Sequence, residues 1–527
     1  MKELGLIVET VAKCTTCFEF KSSCIDLGIS LTRSARAAIA LGLCASLLSG
    51  CQLAPPYHPP RFLLPDSYQG SGPFRQANPD AVQLPQGDWW TLFGDPLLND
   101  YEEQLRRVNP TLHAAAETYT QARDLAAEAQ SGLYPQIGVT TGLSENKQSL
   151  HSLYRHGPGG LNEDASNVVA ATASWEPDFW GATRNRAHEQ KRLAQASAAD
   201  LATARLSLEA QLASNYIALR GLDAERELLR QSIVTYQKAV EVTRLRTEGA
   251  IASGLDLARA LSQLRSAQAQ ETDTQLQRDQ LQHAIGVLIG ANPSSFSIAS
   301  TTELTLPTPR IPLGIPSQLL ERRPDISGAE RQMVAANASI GVSRAAFYPN
   351  VTIGLMGGFQ DSGFNLLSLP NDLWTLGAGA ALPLFEGGLR RAELQSSWSQ
   401  YAQTRDNYRA TVLAAFQEVE DGLSQTQRLS AETVQQREAS DQADLALSIS
   451  TKLYQEGLDN FLSVSVAQVQ ALATRTVEIQ IRTRQIQAAV TLIRALGGGW
   501  RASDLPSEPQ TLPVGPFEYQ ISQTEVR

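Results

Sequence analysis

The chain has 527 residues, a length that by itself leaves room for three or four domains. Its formal net charge of −10 speaks against a nucleic-acid surface as the main partner. Charged residues are only 19% of the chain and hydrophobic ones 42%, with Ala, Gln, Leu and Ser abundant, which suits long helices better than a compact enzyme core.

The first 50 residues read as a signal region. Arg33 and Arg36 precede an apolar run, Ala37 to Leu48, that is too short to cross a bilayer as a mature helix. Residues 1–30 do not belong to an ordinary signal peptide, so the start is over-extended or the n-region is unusually long. The run ends in Leu48-Ser49-Gly50-Cys51, an order that resembles the bacterial lipobox. Cys51 is then expected to carry a covalent lipid such as palmitate and to become the first residue. Gln52 after it, rather than Asp, resembles the outer-membrane-sorted class of lipoproteins. The alternative is a cut nearby that leaves Cys51 an ordinary thiol. Cys14-x-x-Cys17 is a half-site with no second pair, and no cysteine follows Cys51. A mature chain therefore has no internal disulfide, and packing must supply its stability.

Residues 51–96 are rich in Pro, Gly and Gln and form an extended, lipidated leader. A helix is expected to begin at Pro96, capped by Asp95.

Beyond this point the chain is written twice. Tyr134-Pro135 and Tyr348-Pro349 are 214 residues apart, as are Pro110 and Pro324. Pro177, Phe179, Gly181 and Arg184 fall on Pro383, Phe385, Gly387 and Arg390 at an offset of 206, and Glu248-Gly249 on Glu456-Gly457 at 208. Anchors in one order with small drifts argue for internal duplication. The first repeat is 97–317, the second 318–500, and 501–527 is a C-terminal tail.

Each repeat has the same parts in order. A helix comes first, over 97–133 or 318–346. Two strands follow, about 136–144 and 167–175, then 350–360 and 373–382. Ile137, Val139, Thr141 and Leu143 alternate with small or polar residues, and so do Val169, Ala171, Ala173 and Trp175. Val351, Ile353 and Leu355, and Leu376, Ala378, Ala380 and Leu382, repeat the pattern. Runs of this length suit tilted membrane strands, or a soluble sheet packed on one face.

A long proline-free stretch completes each repeat, from Pro177 to Pro293 and from Pro383 to Pro506. Leu201, Ala204, Leu208, Leu212, Leu219, Leu222, Leu229, Ile233, Tyr236 and Val240 follow steps of 3, 4 or 7, the seam of supercoiled helices. Residues 183–248 as one helix would span ~100 Å. Each stretch breaks once, at Glu248–Asp256 or Gln455–Phe461, where glycine is expected to supply a positive φ and reverse the helix. The return arms, 255–290 and 461–497, are shorter than the long arms. Each first helix must then stack end to end on a return arm, and each protomer offers four helix-lengths of wall.

Four strands cannot close a membrane barrel, and open edges in lipid cost several kcal/mol per unpaired group. Either the sheet is outside the membrane or several chains share one barrel; three would supply twelve strands. The aromatics at the strand–helix junctions, Tyr134, Trp175, Trp180, Phe347, Tyr348 and Phe385, then form an interfacial belt, with a core role as the alternative.

"LLSGC", "GDWWTLFGDPLL", "WEPDFWGATR", "LLERRPDISGAERQMVAANASIGVSRAAFYP" and "LPLFEGGLRRAEL" resemble the TolC-type outer-membrane factors, in the lipoprotein (NodT-like) branch found with resistance-nodulation-division efflux pumps. The resemblance covers about 52–500. It implies a homotrimer with one shared 12-stranded β-barrel and a long periplasmic α-barrel. It also implies a periplasmic adaptor (membrane fusion) protein, an inner-membrane transporter of the resistance-nodulation-division class, and no catalysis. The helix turns become the periplasmic tip, where Arg246, Gly249, Ser253 and Gly457 match the adaptor-docking pattern and Leu462 a constricting position. Relatives often carry aspartate where this chain has Val466. Asp256 and Asp459 remain for a cation-attracting mouth, unless they cap the return helices.

Other readings find less support. The six histidines show no metal spacing, and Glu176 and Asp178 sit in a strand-to-helix corner rather than as an acid/base pair. No cofactor is expected beyond the lipid. The fold would equally serve a type I protein secretion system, and a structural coiled-coil lipoprotein without a pore is the third reading. The sequence does not name the cargo.

Overall fold

The computed structural model describes residues 53–60, 87–147, 163–250, 252–309, 311, 319–363 and 365–512. Cys51, the signal region, most of the leader and the end of the tail lie outside them.

The protein is mostly helical with a small sheet, and its parts recur in pairs. The first repeat runs α1 (Pro96–Val108), α2 (Pro110–Ser131), β1 (Gln136–Lys147), β2 (Glu163–Trp175), α3 (Ala182–Glu248) and α4 (Gly254–Leu288). The second runs α5 (Pro324–Ala345), β3 (Asn350–Asp361), β4 (Asp372–Ala381), α6 (Leu389–Gln455) and α7 (Phe461–Ala495). The matching members α2 and α5 have 22 residues each, α3 and α6 have 67, and α4 and α7 have 35.

The expected first helices are not continuous. Chain that would have formed one helix over 97–133 is split at Asn109, and over 318–346 at Arg323. Both residues precede proline and take extended backbone, φ −67°, ψ 119° and φ −109°, ψ 124°. The proline ring crowds the helical region for its predecessor. Asp95 caps α1 as expected, its side chain accepting from the amides of Leu97 and Leu98 at 2.8 and 3.2 Å.

These breaks are where the helices stack end to end. The Asn109 side chain accepts from Leu112 N of α2 at 2.9 Å and donates to the Leu288 carbonyl at the end of α4 at 2.7 Å. In the second repeat, Arg323 donates to the Ala495 carbonyl at the end of α7 at 2.9 Å. The helix-end carbonyls left over by the α ladder thereby find donors. The α2/α4 stack packs on α3, α3 on the α5/α7 stack, and that stack on α6. The protomer is thus a wall four helix-lengths wide. Along α3 all ten residues of the expected seam are buried or half-buried. The α3–α7 approach is close, because a Cβ on Gly221 would come within 2.3 Å of the Thr483 hydroxyl oxygen.

A core at mid-height ties distant segments together: Trp89, Trp90 and Phe93 of a 3-10 turn, Leu98 and Leu105 of α1, Leu212 and Leu219 of α3, Ile298 and Leu306 of the connector, and Ile486, Val490, Leu492 and Ile493 of α7. The connector between the repeats is pinned by buried charge. Asp223 accepts from Arg278 at 2.6 Å and Arg220 at 3.1 Å, and these arginines also hold the Ile298 and Ala299 carbonyls. Two cations and a backbone amide on one carboxylate satisfy a group that burial alone would penalise.

The sheet has the order β1-β2-β3-β4, all antiparallel. Its register puts the alternating apolar residues of all four strands on one face. Ile137, Ala173, Leu355 and Leu376 form one row across it. That face is bare: Ile137 is 80% exposed, Val139 78% and Trp374 75%. Among the described residues, no helix is long and apolar enough to cross a membrane.

Candidate functional site

Three regions hold the residues singled out by sequence: the helix tips, the strand–helix corners and the start of the leader.

At the tips the two repeats reverse direction differently. Gly457 has φ 77°, as expected. Gly249 does not supply the positive φ of the first turn: it has φ −81°, and Ala250 takes φ 59° instead. Gly249 is still bonded to the last helical turn through Leu245 O, so the left-handed step falls one residue later, where Ala250 N donates to Thr247 O. An L residue there costs about 1–2 kcal/mol. Ser253 and Asp256 form a capping box on α4: Ser253 Oγ accepts from Asp256 N at 3.3 Å and Asp256 accepts from Ser253 N at 3.4 Å. Asn460 caps α7, and Asp459 accepts from the Asn460 amide at 2.7 Å. Asp256 thus does local capping work, whereas Asp459 bonds only the amide of Asn460 and leaves the capping of α7 to that residue; both carboxylates are half-exposed.

Arg246 reaches across the repeats. Its guanidinium lies 4.4 Å from the Tyr454 ring centre and 3.4 Å from the Tyr454 carbonyl on α6. Tyr454 meets Phe461 edge-on, and Phe461 is buried with Ala260 and Val464. A polar zip stands beside it, with Ser465 donating to Gln263 at 2.9 Å and Gln263 to Gln468 at 3.1 Å. Leu458, Leu462 and Val466 stay exposed on the same end.

The corners show why the Tyr-Pro phrase occurs twice. Proline stops the helix and the chain enters a strand one residue later. Trp175 donates to the Leu133 carbonyl at 3.2 Å beside the first Tyr-Pro, and Trp180 to the Pro349 carbonyl at 2.8 Å in the second. The Trp180 ring also stacks on Tyr348, centres 4.6 Å apart. The first corner is therefore folded under the second Tyr-Pro. The second corner has no such cover: Leu384 is 92% and Phe385 91% exposed, and Tyr134 and Phe347 are exposed as well. Asp178 is not an acid/base partner of Glu176; it binds Arg184 and the amides that open α3.

The leader climbs along α5. Tyr57 bonds Glu330 at 3.4 Å, the Pro55 carbonyl accepts from Asn337 at 2.8 Å, and the Leu53 carbonyl accepts from Arg344 at 3.1 Å. These partners ascend α5 toward Tyr348-Pro349. Burial beside Glu330 pushes the Tyr57 phenol well above its ordinary range, so it stays a donor. From Leu53 back to Cys51 the chain spans at most about 7 Å.

Arg323 is the residue whose role sequence reasoning missed, though its motif was visible. Burial pulls its guanidinium down, and the hydrogen bonds and charges of Asp325 and Glu418 outweigh that pull. It forks onto Asp325 at 2.7 and 3.0 Å, reaches Glu418 at 2.8 Å, and bolts α5 to α7. The Arg-Pro-Asp order was the available signal: an arginine at a helix break with a carboxylate two residues on. Among the described residues, no cluster of His, Cys, Asp and Glu could hold a metal ion.

A wall of stacked helices joined through proline corners to a sheet with a bare apolar face defines the class: a stave of a tubular channel. The model of the outer membrane efflux protein family matches residues 103–291 and 315–498, one match for each repeat. The chain belongs to that family. It is 30% identical over 428 residues to the pyoverdine export outer membrane protein OpmQ of Pseudomonas putida, covering 80% of this chain and 90% of that one. It is 29% identical over 478 residues to the toluene efflux pump outer membrane protein TtgF of Pseudomonas putida, covering 88% and 97%. The solved outer-membrane channel OprN superposes with a TM-score of 0.78 at 25% identity, over 85% of this chain and all of that one. The outer membrane protein VceC of Vibrio cholerae superposes at 0.73 with 27% identity, over 79% and 100%. The protein is an outer-membrane efflux channel and not an enzyme.

Proposed function

We propose that three copies form one continuous duct, the exit of a tripartite efflux pump that conducts small molecules passively from the periplasm to the exterior. One observation carries this reading: the wall and the sheet end on the same two edges. The α2/α4 stack leads into β1 at one edge, and β4 leads into α6 at the other. A sheet with an apolar bare face and two free edges is costly in lipid unless its edges are paired. Unlike edges join head to tail and close into a ring.

The tip residues Arg246, Gly249, Ser253 and Gly457 form the surface for a periplasmic adaptor, which links the duct to an inner-membrane transporter of the resistance-nodulation-division class. Leu462, with Asp256 and Asp459, lines the narrow end, and Val466 gives that end an apolar step. Tyr134, Phe347 and Phe385 meet the membrane interface, while Trp175, Trp180 and Tyr348 hold the corners behind them. Cys51 carries lipid: the ascent of Leu53 beside Arg344 supports an anchor close to the Tyr348-Pro349 corner.

The test is deletion of the gene, with susceptibility to dyes, detergents, antibiotics and metals as readout and complementation by wild type and Cys51→Ala. Increased susceptibility restored by wild type supports the duct, together with a trimer that conducts in planar bilayers. Unchanged susceptibility with lost export of a protein substrate would move the chain to type I secretion. A monomer without conductance would refute the duct.

A further inference from the structure

The internal repeat contains a template for the joint between copies. This inference rests on the ring proposed above. Pairing of Gln136 with Ser174 and of Asn350 with Ala381 shows that β3 repeats β1 at an offset of 214 and β4 repeats β2 at 207. The seam between the two repeats is β2 against β3, with Ala173 opposite Leu355 and Trp175 opposite Ile353. Only one other seam is needed to close the ring, β4 against β1 of the next copy. We infer that it takes the same register, with Ala380 opposite Thr141 of the next copy and Leu382 opposite Val139 of the next copy.

Two features of the single chain fit this joint. The first is a close approach. At the internal seam Ala170 faces Gly358, where a Cβ would lie 2.2 Å from the Val169 carbonyl oxygen. The equivalent pair at the outer seam is Gly377 facing Ser144 of the next copy. Glycine changes strands but the pair stays small. A Cβ on Gly377 meets nothing within 4 Å in one chain, so the space is open for that neighbour. The second is the uncovered corner. At the internal seam the first corner lies under Tyr348-Pro349. The second corner, with Leu384 and Phe385 bare, has its equivalent site at Tyr134-Pro135 of the next copy. Trp180 is replaced there by Glu386, which pairs with Arg390 at 2.9 Å, so the outer corner lacks the tryptophan lock. The register also fixes the barrel. The row Ile137, Ala173, Leu355, Leu376 continues onto Glu145 of the next copy, a shift of eight residues per copy and twenty-four around a ring of three.

The experiment is oxidative cross-linking in isolated outer membranes, read on non-reducing gels beside the unmodified protein. Ala380→Cys is combined with Thr141→Cys, Val139→Cys or Leu143→Cys. The expected result is covalent dimers and trimers strongest, by several-fold, for the Thr141→Cys pair. A maximum at Val139→Cys or Leu143→Cys overturns the register. So does absence of cross-links in every pair while native mass shows a trimer; a monomer by native mass refutes the duct itself. Separately, Glu386→Trp should restore the lock and raise the temperature at which the trimer dissociates in detergent. An unchanged or lower temperature overturns the corner part of the inference.

Discussion

Gly497→Ala should be among the most damaging single-methyl changes in the protein, although Gly497 lies far from the tip. The residue lies two positions past the end of α7 with φ 90°, and a Cβ there would sit 1.9 Å from the Arg322 carbonyl oxygen and 2.8 Å from its carbon. Both atoms are backbone, so no side chain can rotate away, and the peptide they belong to leads directly into Arg323. The left-handed backbone costs an L residue about 1–2 kcal/mol. Relieving the overlap adds about 1–3 kcal/mol, the usual range for overpacking. Gly457→Ala is the matched control: its φ is 77° but nothing lies within 4 Å of the added methyl, so only the backbone cost applies. With unfolding entropy near 2.1 cal/mol/K per residue, a chain of this size shifts by about 1 °C per kcal/mol. Thermal scans at one rate in one detergent should therefore show a loss of about 2–5 °C for Gly497→Ala and about 1–2 °C for Gly457→Ala. Equal shifts for the two variants would refute the argument that the α5–α7 joint is sterically closed.

Other consequences are separable. Glu102 is fully buried with neither carboxylate oxygen bonded, and burial, followed by repulsion from Glu209, raises its pKa well above the usual carboxylate range. The folded state then holds the proton longer than the unfolded one. Its stability contribution is complete below about pH 4.3 and falls by up to ~1.4 kcal/mol per pH unit as pH rises toward the folded value. Glu102→Gln should flatten that slope between pH 5 and 8, and an identical slope in wild type and variant would sink the reading. Arg323→Lys keeps a charge but loses the fork onto Asp325, and Arg323→Met loses both. With two half-exposed acidic partners able to rehydrate, we expect losses of about 1 and 2–3 kcal/mol, measured as protease sensitivity at the α5–α7 junction; equal resistance would count against the bolt. At the tip, Ala250→Gly should leave trypsin cleavage after Arg246 unchanged or slower, whereas Ala250→Val should accelerate it, because a β-branched residue tolerates positive φ worst. The reverse order would mean that the first turn has another conformation.

Much of this architecture was legible because its signals are local and periodic. Proline-free stretches with a 3.5-residue seam become α3 and α6, since nothing interrupts the ladder and one stripe is apolar. Alternation in Ile137 to Leu143 and its three counterparts becomes a single bare face, because side chains in a strand change sides at every residue. The repeat offsets, the Tyr-Pro corners and the Asp95 cap are read the same way. The helix breaks at Asn109 and Arg323 are not legible in the apolar spacing, which continues through both prolines.

What the sequence determined by itself was the inventory: two repeats, their helices and strands within a few residues, and the apolar side of each. Tertiary structure alone decided what those parts hold. Asn109 and Arg323 act on carbonyls 179 and 172 residues away, Trp180 closes on Pro349, and the leader finds α5 nearly 300 residues on. Such partners are set by how stacked helices and twisted strands meet in space, and no spacing along the chain encodes that distance. Ala250 rather than Gly249 bears the left-handed turn for the same reason, since the end of a 67-residue helix is placed by what its flank packs against.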